Sequence, residues 1–242
     1  MRRCRVLVLI LAGVLATLNG CKANPPSAET SPQAPPTDSS VTNPVPPPRE
    51  TPSPAAESDS RPVIVCFGDS LTAGYGTEAG QSYPDYLQTD LDNLGYHYRV
   101  VNAGISGNTT KDGVERVSSI VAMHPAVVIV EFGGNDGLRG LRIEDSRANL
   151  DTIVSKLKAS GTKVVLAGIT LPPDYGQDYI HQFNETYVLL AKKFQVPLLP
   201  FLLQGVFGVD GMMQRDRTHA TAAGNQIVAR NVLPLVTPLL KK

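Results

Sequence analysis

The first residue able to do chemistry is a serine that follows an apolar run. Ser70 comes directly after Val63–Phe67, within Phe-Gly-Asp-Ser-Leu-Thr-Ala-Gly-Tyr-Gly (67–76). A serine on a tight strand-to-helix turn presents its hydroxyl beside backbone N–H groups and becomes a nucleophile when a base is near. The glycine spacing fits neither a Walker phosphate loop nor the dinucleotide fingerprint, nor is it the G-x-S-x-G elbow of α/β-hydrolases. Ser70 is therefore a candidate nucleophile.

A base and an acid stand three residues apart near the carboxyl-terminal end. Asp216 and His219 lie in Gln-Arg-Asp-Arg-Thr-His-Ala-Thr (214–221), just before a helical pattern. A carboxylate at this spacing can hydrogen-bond the imidazole and fix its tautomer while the other ring nitrogen faces a serine. The pattern favours nucleophilic catalysis through Ser70.

Two further polar loops follow apolar runs. Val-Asn-Ala-Gly-Ile-Ser-Gly-Asn-Thr-Thr (101–110) places Gly107 in a loop that opens a helix, where the backbone can approach a ligand closely. Glu-Phe-Gly-Gly-Asn-Asp-Gly (131–137) can direct the amide of Asn135 into the same pocket. Each loop alone could be a simple turn. Together with the serine loop they follow successive strands, so we expect them to converge at one sheet edge.

Five other titratable side chains could compete for these roles. His97, His124 and His181 lie far from the motifs and lack the spacing of metal ligands, so we expect surface or packing residues and no metal site. Asp69 and Asp136 are expected to be structural acceptors for loop N–H groups.

The elements that position these loops are predicted from the hydrophobic pattern. Buried strands are expected at Val63–Phe67, Tyr98–Asn102, Ala126–Phe132, Lys163–Ile169 and Val196–Phe201. Helices are expected at Tyr83–Leu94, Lys111–Met123, Glu144–Ala159, Tyr179–Phe194 and Ala222–Leu240. Continuous apolar strands indicate a sheet covered on both faces and hence parallel. The alternation predicts a three-layer α/β/α sandwich with a mostly parallel five-stranded sheet.

In order and spacing, the four polar blocks resemble the SGNH (GDSL) hydrolase family across essentially all of 62–242. The residues that match its motifs are Ser70, Gly107, Asn135 and His219, with Asp216 as the acid of D-x-x-H. The stretches 130–141, 171–176 and 196–201 are similar to the bacterial branch of arylesterases, acyl-CoA thioesterases and lysophospholipases. One departure is Ala220, since many members have proline after the histidine.

The resemblance implies a flavodoxin-like version of the sandwich, a mechanism and a substrate class. His219 would take the proton of Ser70 as the hydroxyl attacks an acyl carbonyl, with Asp216 orienting the imidazole. The backbone N–H groups of Ser70 and Gly107 and the amide of Asn135 would hold the oxyanion. The expected substrates are acyl esters, thioesters and lysophospholipids, and no cofactor or metal is required.

Two other functions remain as alternatives. Other SGNH branches include deacetylases of cell-envelope glycan, although the absence of tryptophan and the branch-specific loops count against this reading. A non-catalytic envelope binding module would not need an intact set of motif residues. Nucleic-acid binding is not expected, because the 22 Lys and Arg balance the 22 Asp and Glu and no basic face stands out.

The amino-terminal end has the pattern of an export signal. Arg2, Arg3 and Arg5 precede the apolar run Val6–Leu18, which is too short to span a bilayer as a mature helix. Leu-Asn-Gly-Cys (18–21) resembles a bacterial lipobox, in which Cys21 receives a diacylglyceryl group and the chain is cut just before it. The alternative is an ordinary secretory signal cut after residue 23. We therefore expect an exported lipoprotein on the periplasmic or cell-surface side of a membrane.

Between this signal and the folded domain lies a segment of different composition. Twelve of the 41 residues in 22–62 are proline and none is aromatic. Such a sequence cannot bury enough apolar surface to fold, so we expect an extended tether. The predicted organisation is a signal peptide at 1–20, the lipidated Cys21 and tether at 21–61, and one catalytic domain at 62–242, acting as a monomer. Cys66 remains as a buried, inert thiol without a disulfide partner.

Overall fold

The computed structural model describes residues 59–242. The expected signal peptide (1–20), Cys21 and nearly all of the tether (21–61) lie outside the described residues. Asp59 and Arg61, at the end of the expected tether, form an ion pair, and Arg61 Nη1 donates to the carbonyl of Tyr98 at 3.4 Å. No helix within 59–242 is both long and apolar enough to cross a membrane.

Strands and helices alternate along the described chain. The strands β1 to β5 are Val63–Gly68, Arg99–Asn102, Val127–Glu131, Lys163–Ala167 and Leu198–Leu199. The helices α1 to α7 are Ser70–Ala73, Tyr83–Asn93, Thr110–Val121, Gly134–Leu138, Ile143–Ala159, Gln177–Phe194 and Ala222–Val236. Single 3₁₀ turns occur at Pro173–Tyr175 and Thr237–Leu239.

The five strands form one parallel sheet in the order β2-β1-β3-β4-β5. Helices α2 and α7 pack together over one face, and α3, α5 and α6 pack in sequence over the other. This is the order of the flavodoxin-like doubly wound fold, in which ligands bind beyond the carboxyl ends of the strands. The predicted three-layer sandwich is confirmed.

The core explains why the central strands read as continuous apolar runs. Ile64–Phe67 in β1 and Val127–Val130 in β3 have essentially no exposed surface, because helices cover both faces. Each fully buried aliphatic or aromatic side chain contributes about 1.5–3 kcal/mol to folding. Cys66 belongs to this run, and burial raises the pKa of its thiol to about 12, so it is the inert core residue that the sequence predicts.

Polar caps begin two helices next to the carboxyl edge of the sheet. Ser82 and Asp85 exchange side-chain and backbone hydrogen bonds at the start of α2, and Thr109 and Asp112 do the same at α3. Each capping box satisfies N–H groups that the first helical turn leaves free, which typically contributes about 1 kcal/mol. The caps therefore fix where the loops after β1 and β2 end.

Some predicted boundaries were wrong. Strand β5 is only Leu198–Leu199, because the chain turns away after pairing with two residues of β4. The last helix stops at Val236 and continues as a 3₁₀ turn, where Pro238 cannot donate a backbone hydrogen bond. Helices α1 and α4 were not predicted, since four and five residues are too few for a helical periodicity to show.

Candidate active site

The structure brings the serine, the histidine and the aspartate into one line of hydrogen bonds. Ser70 Oγ lies 2.8 Å from His219 Nε2, and His219 Nδ1 lies 2.7 Å from Asp216 Oδ2. The ring of Tyr75 packs against the imidazole with a centroid distance of 4.7 Å. Nucleophile, base and acid thus have the mutual geometry of a catalytic triad.

The loop that carries Asp216 and His219 is fixed mostly by hydrogen bonds within the loop. Asp216 Oδ1 accepts the N–H groups of Thr218 and His219 at 3.0 and 3.1 Å, which leaves Oδ2 free to face the imidazole. Between them Arg217 adopts a left-handed backbone with φ of 57°, so the turn closes tightly. The segment from the acid to the base is therefore a tight turn whose N–H groups are capped by Asp216 itself.

A glutamine ties this loop to the rest of the site. Gln214 Nε2 donates to the carbonyl of Ala220 at 2.9 Å and to that of Tyr75 at 2.7 Å, and its backbone N–H donates to the carbonyl of His219 at 2.8 Å. The side chain thus links the base loop to the loop that follows Ser70. Sequence reasoning gave Gln214 no role, because a long-range side-chain contact leaves no pattern.

Hydrogen bonds to two carboxylates hold the serine turn. Asp69 is the N-cap of α1 and accepts the Leu71 N–H at 3.0 Å, as predicted for a structural acceptor. Glu131, at the end of β3, accepts the N–H of Asp69 at 3.3 Å and the hydroxyl of Thr72 at 2.7 Å. The end of β1 and the first turn of α1 are therefore pinned to the neighbouring strand.

Both of these carboxyl groups are buried. Desolvation raises the pKa of Glu131 well above its ordinary value and also raises the pKa of Asp69. Glu131 Oε1 has no hydrogen-bond partner within residues 59–242, which fits a protonated side chain better than a buried carboxylate. Burial thus favours the protonated form of Glu131 beneath the nucleophile.

Asn135 is held by the same network. Its Nδ2 donates to Asp69 Oδ2 at 3.1 Å and to the carbonyl of Asn108 at 3.0 Å. An amide nitrogen has two hydrogens, so these two bonds engage both of them. For Asn135 to donate to a substrate oxygen, one of these bonds must be shared or given up.

The loop after β2 supplies a free backbone donor next to this amide. Gly107 has a φ of 83°, a conformation that few side-chain-bearing residues adopt, and its N–H donates to no acceptor within residues 59–242. Arg139 Nη2 holds the carbonyl of Gly107 at 2.9 Å and so fixes the plane of the adjoining peptide. Arg139 is a second contact that the sequence did not reveal.

Other sequence candidates prove to be structural or peripheral. Asp136 is buried and accepts both the N–H and the hydroxyl of Thr110, at 2.9 and 2.5 Å, and therefore joins α4 to α3 as an expected structural acceptor. The side chains of His97, His124 and His181 are exposed, as predicted for surface histidines. Within 59–242 no cluster of three or more His, Cys, Asp or Glu could hold a metal ion.

The electrostatics of the acid and base favour an ionised aspartate. Partial desolvation raises the pKa of Asp216. Hydrogen bonds from His219 and Thr218 lower this pKa by more, so it lies below the ordinary value. Asp216 is 40% exposed, so water screens part of its attraction to the imidazole.

A cavity of about 260 Å³ opens beside the serine. Ser70, Gly107, Asn135 and His219 all line it, so the structure brings together the site residues predicted from the sequence. The remaining walls are mostly apolar and are formed by Leu71, Leu138, Ile169, Leu171, Phe201, Leu203 and Phe207. Such walls suit a hydrocarbon chain attached to a polar group at the serine.

Comparisons with known proteins agree with this geometry. Residues 66–227 match the GDSL-like Lipase/Acylhydrolase family. Esterase TesA of Pseudomonas aeruginosa is 43% identical over 179 residues, covering 74% of this chain and 89% of that protein. Thioesterase 1/protease 1/lysophospholipase L1 of Escherichia coli is 36% identical over 187 residues, covering 77% and 87%.

Solved structures give the same result for the fold. The crystal structure of TesA superposes with a TM-score of 0.71 at 43% identity and covers 74% of this chain and 99% of that one. AlinE4, an SGNH-hydrolase family esterase, gives a TM-score of 0.63 at 38% identity and covers 75% and 98%. Since sequence, fold and site geometry agree, the chain belongs to the GDSL-like lipase and acylhydrolase family, the SGNH hydrolases.

Proposed function

We propose that this chain is a serine hydrolase that cleaves carboxylic ester and thioester bonds through an acyl-enzyme on Ser70. The observation that carries the proposal is the Ser70–His219–Asp216 line at the mouth of an apolar cavity. The two relatives described above are named as an esterase and as a thioesterase, protease and lysophospholipase, and an arylesterase of Vibrio mimicus is 37% identical over 166 residues, which supports the same class of reaction. The apolar walls favour acyl chains over a glycan, so no observation favours the deacetylase alternative.

The first half-reaction transfers the acyl group to the enzyme. His219 Nε2 removes the proton of Ser70 Oγ while this oxygen bonds to the acyl carbon, and the carbonyl π electrons move onto the carbonyl oxygen, which becomes the oxyanion. The electrons then return to re-form the carbonyl, the bond to the leaving oxygen or sulfur breaks, and that atom takes the proton from His219 and departs as the alcohol or thiol. Asp216 stabilises the imidazolium between these steps.

The oxyanion has three candidate donors around Ser70. The backbone N–H of Ser70, at the start of α1, and the backbone N–H of Gly107 have no acceptor among residues 59–242, and Asn135 supplies its amide. In the second half-reaction His219 takes a proton from water as the water oxygen bonds to the acyl carbon; the bond to Ser70 Oγ then breaks, Oγ takes the proton back from His219, and the acid leaves. Apart from substrate and water, these steps use groups that the chain itself provides.

Export and anchoring are part of the proposal. They are supported by Arg2, Arg3 and Arg5, by the apolar run and by Leu-Asn-Gly-Cys (18–21), all of which lie outside the described residues. A diacylglyceryl group on Cys21 would hold the mature protein on the periplasmic or cell-surface side of a membrane. Because one chain supplies the complete site, we propose that the enzyme works as a monomer.

A fluorophosphonate probe tests the catalytic proposal, because it labels only an activated serine. Wild type should be labelled on Ser70, and labelling should disappear in Ser70→Ala and after denaturation. Ser106 lines the same cavity, so Ser106→Ala is a matched control that should still be labelled. Unchanged labelling of Ser70→Ala would exclude Ser70 as the nucleophile. Rates on nitrophenyl esters, acyl-CoA and lysophospholipid then rank the substrates.

Membrane partition tests the anchor. Wild type should fractionate with membranes, and Cys21→Ser should be soluble or retained as precursor. Equal partition of the two proteins would contradict lipidation at Cys21.

A further inference from the structure

Exposed apolar side chains surround the opening of the cavity. Within residues 59–242, eleven large hydrophobic residues are exposed. Three of them line the cavity, namely Tyr75, Leu138 and Phe207. Four more lie on the same loops or beside them, namely Ile105, Leu141, Tyr175 and Val209. We call these seven residues the apolar rim.

The rim residues belong to one surface rather than to scattered positions. They occur after β1, β2, β3, β4 and β5, at the edge where parallel strands end together. Tyr175 donates its hydroxyl to the carbonyl of Leu138 at 3.0 Å, which joins the loops after β3 and β4. Isolated exposed hydrophobic residues are normal on a protein, but a group of seven around a ligand opening indicates an interaction surface.

The charges on the rim are mixed. Arg139, Arg215 and Arg217 are exposed there, and the exposed acids Glu78 and Asp210 lie on the same loops. A polyanion such as nucleic acid would require a predominance of cations, which these loops lack. Apolar contact is therefore the main attraction that the surface offers, as expected for insertion among lipid headgroups and acyl chains.

The position of residue 59 sets the length that a link to a membrane anchor must have if the rim is to face the membrane. Residue 59 lies next to the start of β1, at the sheet edge opposite the site, and β1 runs from there towards Ser70. A short link to a lipidated Cys21 would hold the active site away from the membrane. A domain of this size is roughly 40 Å across, so a link of roughly 60 Å is needed to reach around it.

The length of the preceding segment meets this requirement. Residues 22–58 would span about 115 Å if extended like polyproline, at about 3.1 Å per residue. This exceeds the roughly 60 Å needed to pass around the domain, so the domain could turn its carboxyl edge towards the anchoring membrane.

We infer that the apolar rim docks on the phospholipid bilayer that holds the anchor, so that lysophospholipid enters the cavity directly from the membrane. The inference rests on the proposed hydrolase and lipoprotein function and specifies where its substrate is presented. The acyl chain passes from the bilayer to the apolar walls at Leu138 and Phe207 without crossing water. The ester bond of a lysolipid lies near its headgroup. Ser70 lies beneath the rim, so in the docked protein it would be at the depth of that ester.

The chain offers a matched pair of variants. Leu141→Asp with Val209→Asp places two charges on the rim at residues that do not line the cavity; their exposed fractions are 42% and 45%. Leu189→Asp with Val188→Asp makes the same two changes on α6, away from the cavity, where the exposed fractions are 41% and 54%.

The test compares two substrates with the full-length anchored protein in phosphatidylcholine vesicles. One substrate is long-chain lysophosphatidylcholine in the bilayer, and the other is nitrophenyl butyrate in water. The rim double variant should lose about tenfold in rate on the bilayer substrate, because charged side chains oppose insertion, and should keep its rate on the soluble ester. The α6 double variant should match wild type on both. Equal bilayer rates for the two double variants would overturn the docking surface.

Deletion of residues 25–54 independently tests whether the length of the link matters. The remaining link would reach only about 22 Å, too little to pass around the domain. Hydrolysis of the bilayer lipid should then fall several-fold while hydrolysis of nitrophenyl butyrate persists. An unchanged bilayer rate would mean that the domain does not need to turn.

Failure of the proposed function gives a different result from failure of docking. If wild type hydrolyses neither substrate, the hydrolase proposal fails. Flotation of full-length Cys21→Ser protein with phosphatidylcholine vesicles still tests the rim. Weaker flotation of the rim double variant than of the α6 double variant supports docking, and equal flotation contradicts it. Added phosphatidylglycerol should change flotation little, because the rim charges nearly balance.

Discussion

The two sides of the active site are held in different ways. Ser70 and Asn135 lie on the short helices α1 and α4 that follow β1 and β3, and their positions depend on the buried Asp69 and Glu131. His219 stands on an exposed turn whose hydrogen bonds are nearly all local. The side with Ser70 and Asn135 is positioned by contacts with the buried core, whereas the side with His219 is a short loop held by its own hydrogen bonds.

This difference separates stability from chemistry. A change beneath the nucleophile removes groups that the core needs, so we expect it to alter folding as well as rate. A change in the base loop affects exposed groups, so we expect it to alter the rate with little effect on folding. The predictions below test this contrast.

The largest effect should come from breaking the triad. Ser70→Ala should lower kcat by about 10⁵–10⁶, and Asp216→Asn by up to about 10⁴. Because triad residues act as a unit, the double variant should be hardly slower than Ser70→Ala. Asp210→Asn, an exposed acid nearby, is the control and should retain wild-type kcat. Additive losses in the double variant would show that Asp216 acts independently of Ser70.

Asn135→Ala should have the second-largest effect. Loss of one oxyanion donor typically costs about 10²–10³ in kcat with little change in KM. Asn231→Ala, on α7, is the control and should behave like wild type in steady-state kinetics. A raised KM with unchanged kcat would mean that Asn135 binds substrate in the ground state. Asn135 also donates to Asp69 and Asn108, so the melting temperature must be measured alongside.

Gln214→Ala should sharpen the contrast between the two sides. Loss of its bonds to Tyr75 and Ala220 frees the base loop, and a small displacement of His219 should lower kcat by about tenfold. The melting temperature should change little, since the loop is exposed. Gln204→Ala is the control. A large drop in melting temperature at unchanged kcat would show that the loop depends on the core after all.

Glu131→Gln should have the smallest effect on rate but a clear signature in stability. Because burial raises the pKa of Glu131 in the folded state, the folded protein binds this proton more tightly than the unfolded chain. The contribution of Glu131 to stability is therefore complete below its ordinary pKa of 4.5 and is lost as pH rises towards the folded pKa. Glutamine is neutral throughout and keeps an acceptor for Thr72.

The melting temperature against pH is the measurement. The Gln variant should resemble wild type near pH 4.5 and become relatively more stable above it, by at most about 1.4 kcal/mol per pH unit. Glu131→Ala should lower the melting temperature at every pH, because it leaves the Asp69 N–H and Thr72 without their acceptor. Parallel curves for wild type and the Gln variant would show that Glu131 is ionised in the folded protein.

The sequence predicted the mostly parallel five-stranded sheet and the convergence of the four polar loops, because apolar runs and strand-end motifs are local patterns. It did not predict Gln214 or Arg139, whose roles arise from contacts between distant loops. It also did not predict that both amide hydrogens of Asn135 are engaged, since this depends on the position of the Asn108 carbonyl. The motif residues could therefore be predicted from the sequence, but the side-chain contacts between distant loops could not.

The bond between Ser70 and His219 joins residues 149 positions apart in the chain. It can form only when β1, at the start of the described fold, and the loop before α7, near its end, are both in place. A chain lacking its last helix, as when synthesis has not yet finished, should therefore be inactive towards esters. The enzyme would gain its activity only with completion of the fold, so recovery of esterase activity during refolding would report the last docking step rather than the first collapse.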